Sequence, residues 1–244
     1  MPSRQPPTGE TFREQVRRLS QAALDLLFPP RCVICRQPGA ELCAGCRAQM
    51  PVLCAPVCPI CSLPLANGTR CARCDAHRPA FRRVRSAYRY EGGVRRAIHA
   101  LKYEGRRGLA APLAEALAEQ LPPPDRLPDA ACAVPMHPVR EAQRGYNHAR
   151  LLALELMQLW GIPVLPAGAL HRTQQTAAQV GLDYSARLAN VQGAFAADPA
   201  LVRGCTILVV DDVCTTGATL DACASELLKA GAAAVEGVTL ARTL

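Results

Sequence analysis

Residues 207–220, I-L-V-V-D-D-V-C-T-T-G-A-T-L, constrain the fold more than any other stretch of this chain. Ile207–Val210 is an uninterrupted apolar run, the pattern of a strand buried on both faces of a parallel sheet. Asp211 and Asp212 follow where that strand is expected to end. A turn of small residues, Thr215–Thr219, comes next, then an apolar, Ala-rich helix over Leu220–Ala230. Together these make one device. The loop offers backbone N–H groups and hydroxyls to an anion, and the helix N-terminus adds the positive end of its dipole. Gly217 lets the backbone approach the ligand closely. The two carboxylates are placed to accept hydrogen bonds from the hydroxyls of a sugar whose phosphate lies in the loop.

The acidic pair followed by T-T-G-x-T resembles the phosphoribosyl-pyrophosphate (PRPP) loop of type I phosphoribosyltransferases. An ordinary strand–loop–helix with a solvated acidic pair would need the acids and the threonine spacing to coincide by accident.

A second constraint lies upstream. Four C-x-x-C pairs, Cys32/Cys35, Cys43/Cys46, Cys58/Cys61 and Cys71/Cys74, fall within 43 residues. Zn²⁺ takes four thiolates tetrahedrally, and a C-x-x-C turn aims two of them at one ion. The loops of seven and nine residues inside each half, with Gly39 and Gly68 as turn residues, suit two tandem zinc ribbons. Spacing leaves a cross-braced pairing open, and with it one ion or two. Disulfides fit poorly with a chain expected in the cytoplasm. The segment has almost no aliphatic core, so the metal is structural. Cys54 is expected to be a buried thiol outside both sites.

The chain divides into a tail and amphipathic helix (1–30), the ribbons (31–78) and an α/β domain (79–244). Met1–Thr11 is polar and Pro-rich. Phe12–Phe28 reads as a helix that docks on the body of the protein, with Phe12, Val16, Leu19, Ala23, Leu26 and Leu27 on one face. No apolar run reaches the roughly 18 residues of a membrane span. Ala22–Phe28 carries Asp25 and lacks a small-residue cleavage site, so no signal peptide is expected. Net charge is +8, but residues 1–107 hold 19 Lys+Arg against 7 Asp+Glu, while 108–244 hold 9 against 13. The basic half suggests a polyanion, nucleic acid first. However, 26 of the 28 basic residues are Arg, as genome composition alone can produce. Phe81–Tyr90 reads as an edge or hairpin strand with Arg83, Arg85 and Arg89 on one face. That is either a solvated face or one wall of a single-stranded nucleic-acid groove.

Further on, Glu91–Gly93 reads as a turn, Val94–Tyr103 as a basic helix, Leu109–Leu121 as a helix, Ala131–Val134 as a strand, Asn147–Trp160 as a helix, Ile162–Leu165 as a strand, Asp198–Gly204 as a turn and Ala234–Ala241 as the last strand. This alternation predicts a doubly wound parallel sheet, with ligands at the carboxyl ends of the strands. Met136–Arg140, a Pro-bracketed loop after the second strand, is a second candidate anion site. The polar stretch His171–Phe195 has the composition of a lid.

Five segments in order carry a wider resemblance: C-V-I-C…C-A-G-C, R-Y-E-G-G-V-R-R-A-I-H-A-L-K-Y-E-G, V-P-M-H-P-V-R-E-A-Q-R-G-Y-N-H-A, R-T-Q-Q-T-A-A-Q-V-G-L-D-Y-S-A-R-L-A-N-V and V-V-D-D-V-C-T-T-G-A-T-L. Over Cys32–Leu244 the chain is similar to the ComF family, competence-associated proteins that join zinc ribbons to a phosphoribosyltransferase-like domain. The resemblance implies a type I phosphoribosyltransferase fold and a role in handling DNA during natural transformation, with uptake-machinery proteins as further partners. On this reading Thr215, Thr216, Gly217, Ala218 and Thr219, with the backbone of Cys214, hold the 5′-phosphate of PRPP. Asp211 and Asp212 hold the ribose and are the candidate catalytic pair. Pyrophosphate with Mg²⁺ lies near Met136, His137 and Arg140. Arg144, Lys102 and Arg172 clamp the leaving group or close the lid. If transfer occurs, its transition state is oxocarbenium-like, as in glycosyl transfer. Two classes stay open. One is a PRPP-binding protein that also grips single-stranded DNA, and the other is an active transferase of nucleotide metabolism. Ala218–Leu244 supplies no aromatic group to stack an acceptor base, which favours the first. A pure zinc scaffold would leave the acidic pair unexplained.

Overall fold

A computed structural model describes residues 29–174 and 193–244. Its centre is a parallel sheet of four strands, β1 (Val84–Arg89), β2 (Ala130–Ala133), β5 (Thr206–Cys214) and β6 (Ala234–Arg242), in the order β1-β6-β5-β2. The helices α3 (Gly92–Tyr103), α4 (Ala110–Gln120) and α6 (His148–Trp160) belong to one apolar layer with Leu208, Val210, Val238 and Leu240. Helix α8 (Ala218–Lys229) belongs to the other, with Ile207, Val209 and Val235. Alternate residues of β5 therefore feed opposite layers, as the strand period requires. The parallel, doubly wound arrangement is the expected one.

Several elements differ from expectation. β5 does not end before its acids. It runs to Cys214, because pairing with β6 continues to Cys214↔Arg242, whereas pairing with β2 stops at Ala133↔Val210. Asp211 and Asp212 thus lie in the strand but past the end of one neighbour. Gly92 and Gly93 open α3 rather than forming a turn. Pro138–Arg144 is a helix, α5, with Pro at its first position, where a missing N–H costs nothing. Ile162–Leu165 makes only an isolated bridge, Ala131↔Val164, since Pro163 has no N–H for a ladder. The expected turn at 198–204 holds a single helical turn, α7 (Pro199–Val202), capped by Asp198 Oδ1 accepting from Ala200 N at 2.9 Å. The ends of the lid-like stretch pair as β3 (Leu170–Arg172) and β4 (Phe195–Ala197), antiparallel. Its middle, and the helix expected over 12–28, lie outside the described residues.

The ribbons carry one helical turn each, α1 (Ala44–Ala48) and α2 (Ala72–Ala76). Val33, Leu42 and Met50 of the first join the core layer of α3 and α4, and Arg47 meets Glu115 and Glu119 at 3.0 and 3.3 Å. The connecting segment covers the outer edge of β1. Leu53 N donates to Ala87 O, Arg89 N to Pro51 O, and Val84 N to Ile60 O, at 2.7–2.8 Å. That closes an edge that would otherwise template aggregation. Cys54, in this segment, is exposed rather than buried.

Candidate functional site

The cysteines fall into two groups, Cys32/Cys35/Cys43/Cys46 and Cys58/Cys61/Cys71/Cys74, whose sulfurs in each lie within 4.8 Å of one another. The pairing is tandem, and the cross-braced alternative does not occur. Sγ of Cys35 and Cys43 are 3.7 Å apart, and those of Cys61 and Cys71 are 3.6 Å apart. That is far beyond a disulfide and close to the edge of a tetrahedron with Zn–S bonds of about 2.3 Å. Burial works against the Cys32 thiolate, but backbone N–H groups of Cys43, Cys35 and Ile34 outweigh it and bring its pKa down to about 6. Cys58 is brought to about 7 against burial by N–H groups of Cys71, Cys61 and Ile60. Cys46, Cys61 and Cys74 go the other way, pushed up by burial first and then by the neighbouring cysteines, so the backbone favours a thiolate at the first cysteine of each tetrad.

At the carboxyl ends of the strands a cavity of about 310 Å³ is lined by Met136, Arg140, Arg144, Lys102 and Arg172 together with Asp211, Asp212, Thr215 and Thr219. These nine come from the candidates named above. His137 does not line it. Its Nδ1 accepts from Val139 N and caps α5. Cys214 is buried behind the loop. Thr216 and Gly217 face away from the cavity, toward the second ribbon, and Ala218 is buried at the start of α8.

The two acids differ. Asp212 is 2% exposed, with Lys102 Nζ 2.5 Å from Oδ2 and His148 Nε2 3.5 Å from Oδ1. Arg144 Nη1 lies 2.7 Å from His148 Nδ1. An arginine only donates, so Nδ1 accepts and Nε2 carries the proton toward Asp212. Burial opposes charge on Asp212, yet Lys102 and His148 prevail and hold its carboxyl well below the usual range. Asp211 is raised well above that range, by burial first and then by Asp212. It is the more exposed of the two and sits on the α8 side of the sheet. Lys102 is held charged by Asp212 despite its own burial. His148, Asp211 and Asp212 also place ligand atoms within 4.8 Å. With Asp212 already held by Lys102 and His148, Asp211 is the acid left to face the cavity.

Sequence reasoning missed His148, Tyr90 and Tyr103, all on the cavity wall. A polar residue directly after a helix-capping Asn was the available signal for His148. Asn147 Oδ1 accepts from Ala149 N at 2.9 Å, and Nδ2 donates to Val134 O at 3.0 Å, which ties the start of α6 to the end of β2.

The loop is gripped from behind. Gly217 has φ +86°, a left-handed conformation that favours glycine. Arg242 is fully buried. Its Nη1 donates to Cys214 O at 2.7 Å and to Thr215 O, and its Nη2 lies 3.9 Å from Cys61 Sγ of the second tetrad. Arg73 Nη1, from α2, donates to Thr216 O at 2.7 Å. A ribbon thus forms the back wall of the loop, and the cavity its front. The strand arginines have partners inside the chain. Arg83 meets Glu236 at 3.0 Å, Arg89 meets Glu91 at 3.1 Å, and Arg85 lies 5.7 Å over the Trp160 ring and donates to Pro122 O.

Comparison with known proteins agrees with this architecture. A double zinc ribbon domain matches residues 23–75, and a phosphoribosyl transferase domain matches residues 166–243. The DNA utilization protein YhgH of Salmonella typhimurium is 33% identical over 229 residues, covering 90% of this chain and 100% of the relative. The chain belongs to the ComF family. Other relatives are competence protein F of Haemophilus influenzae (29% identical, covering 88% and 98% of the two chains) and competence protein ComFC of Bacillus subtilis (26%, covering 92% of each). In this ComF chain the two tetrads are structural zinc sites, and the cavity belongs to a phosphoribosyltransferase-like domain. Zinc cross-links loops that have too little apolar surface to fold alone. Among the described residues no helix is long and apolar enough to cross a membrane.

Proposed function

We propose that the chain binds PRPP with Mg²⁺ and acts in the cytoplasm on single-stranded DNA during uptake and transformation. The observation that carries the reading is the convergence, at the strand ends, of four cations (Lys102, Arg140, Arg144, Arg172), an acidic pair and a threonine loop in one cavity. Cations and loop suit the phosphates of a sugar, and Asp211 suits its hydroxyls. Mg²⁺ is held mostly by phosphate oxygens and waters, as this hard cation prefers. The relatives' names, DNA utilization protein and competence protein, support the DNA half. Calorimetry with Mg²⁺ and PRPP tests the ligand. Binding is expected to wild type and to be lost in Asp211→Asn/Asp212→Asn, and equal binding to both sinks the reading.

A second reading, transfer of the phosphoribosyl group to an acceptor, is favoured by Tyr90 and Tyr103. They bring to the cavity the aromatic surface that the sequence after the loop lacks. Pyrophosphate release from PRPP, with and without bases and oligonucleotides, separates binding from turnover.

A further inference from the structure

The cavity does not stop at Lys102. Past it a second hollow of about 490 Å³ continues outward, lined by Lys102, Tyr103, Arg140, Gln143, Arg144 and Tyr146. Lys102, Tyr103, Arg140 and Arg144 line both spaces, so the two adjoin. No carboxylate lines the outer one. Tyr103 is 66% exposed, and among the described residues it is the one exposed Phe, Tyr or Trp. A large aromatic left in water at the mouth of a charged cavity is a feature to be explained. The Arg144 guanidinium lies 5.0 Å from its ring centroid, and the Arg107 guanidinium 4.5 Å from that of Tyr146. The Tyr146 hydroxyl donates to Leu101 O at 2.5 Å, which fixes that ring, and Arg107 donates to Gly145 O at 2.9 Å. Tyr146 is buried and holds the wall, so Tyr103, with guanidinium groups beside it, is the ring on which an unpaired base can stack while its phosphates are neutralised. Arg83, Arg85 and Arg89, on and beside β1, already meet Glu236, Trp160 and Glu91 within the chain.

We propose that this outer groove is the binding site for a single-stranded nucleic acid. Tyr103 is the stacking platform, Arg107 and Arg144 contact the strand backbone, and the strand runs into the PRPP cavity across Lys102. The proposal deepens the DNA half of the function proposed above. It does not depend on PRPP binding, which is measured separately.

The test uses full-length protein. Anisotropy of a labelled oligo-dT is followed across a salt series, and PRPP calorimetry is run on the same preparations. Tyr103→Ala is expected to weaken the oligonucleotide about 5- to 150-fold. Arg107→Gln should lower the slope of log K against log salt by about 0.7. Gln143→Glu puts a carboxylate into the groove without touching the PRPP cavity, so it should abolish oligonucleotide binding and leave PRPP binding unchanged. Photocrosslinking of an iodouracil oligonucleotide to wild-type protein should map to the peptide containing Tyr103. Crosslinks confined to the ribbons or to β1, undiminished binding by Gln143→Glu, or no oligonucleotide binding by wild type each overturn the groove, even where PRPP binds. Equal affinity for thymidine monophosphate and the oligonucleotide would overturn the strand and leave a small-acceptor site.

Discussion

Arg242 gives the sharpest prediction. Its guanidinium is wholly buried and supplies hydrogen bonds to the carbonyls of Cys214 and Thr215, while its Nε finds no acceptor. Arg242→Met keeps much of the volume and removes both donors. Hydrogen bonds to a charged group contribute about 1.5–3 kcal/mol each. The two carbonyls are left behind the loop without these donors. Against this, the variant no longer desolvates a cation. The net expectation is a loss of about 3–5 kcal/mol, a large share of the 5–15 kcal/mol typical of a domain. Urea unfolding should show a lower midpoint at unchanged slope. Calorimetry should show PRPP affinity falling as well, because the loop loses the group that fixes its carbonyls. Arg242→Lys retains one donor near the carbonyls and should recover part of both. A stability change within about 0.5 kcal/mol for Arg242→Met, the range of an ordinary surface substitution, would refute the reasoning, as would lost stability with intact PRPP affinity.

Lys102→Met should change the pH profile. The Asp212 carboxyl is held low in the folded state. Its stabilisation is therefore present above the unfolded value of about 3.9 and is lost only as pH falls through the lower folded value. Without Lys102 the first of the two groups that hold it down is gone while burial and His148 remain, so the folded value rises; the gap between wild-type and variant urea midpoints should be full at pH 7 and close as pH falls below about 4, and a gap that persists unchanged there contradicts this. Gly217→Ala meets only ordinary contacts, with Phe81 Cζ at 3.7 Å. Its cost is therefore conformational, about 1–2 kcal/mol, read as a Tm drop of roughly 2–8 °C. Asn147→Ala removes a helix cap and the tie to Val134, and should cost about 1–3 kcal/mol by urea titration. Metal analysis should find two zinc ions per chain in wild type and in Cys54→Ser, and one in Cys61→Ser.

The sequence made the site legible wherever chemistry and local pattern coincide. The D-D-x-x-T-T-G-x-T run, the C-x-x-C pairs and the cations at 136–144 are local; the cysteines form two tetrads, and Asp211, Asp212, Thr215, Thr219, Arg140 and Arg144 meet in one cavity. What stayed hidden depends on pairing between distant segments. β5 passes its acids only because β6 extends beyond β2, and no property of residues 207–220 reports that. Tyr103 and His148 lie on helices whose faces are fixed by packing, so their place on the cavity wall is a tertiary fact. The segment after the loop carries no aromatic ring, and the rings on the cavity wall, Tyr90 and Tyr103, come from just past the end of β1 and from the end of α3. Cys54 was expected inside because thiols generally are, but it sits on the strand-covering segment, whose backbone rather than side chains meets the core.

The covering of β1 has a further consequence. Ser86 and Thr239, hydrogen-bonded across β1 and β6, are 153 positions apart. A chain is made from its N-terminus, so β1 is synthesised long before the strand it will pair with. During that interval its neighbours at hand are the residues around Pro51, Leu53 and Ile60, already attached to the ribbons. Zinc capture orders the loops of each ribbon locally. The segment joined to the ribbons is therefore the partner that β1 already has along one edge before β6 is made.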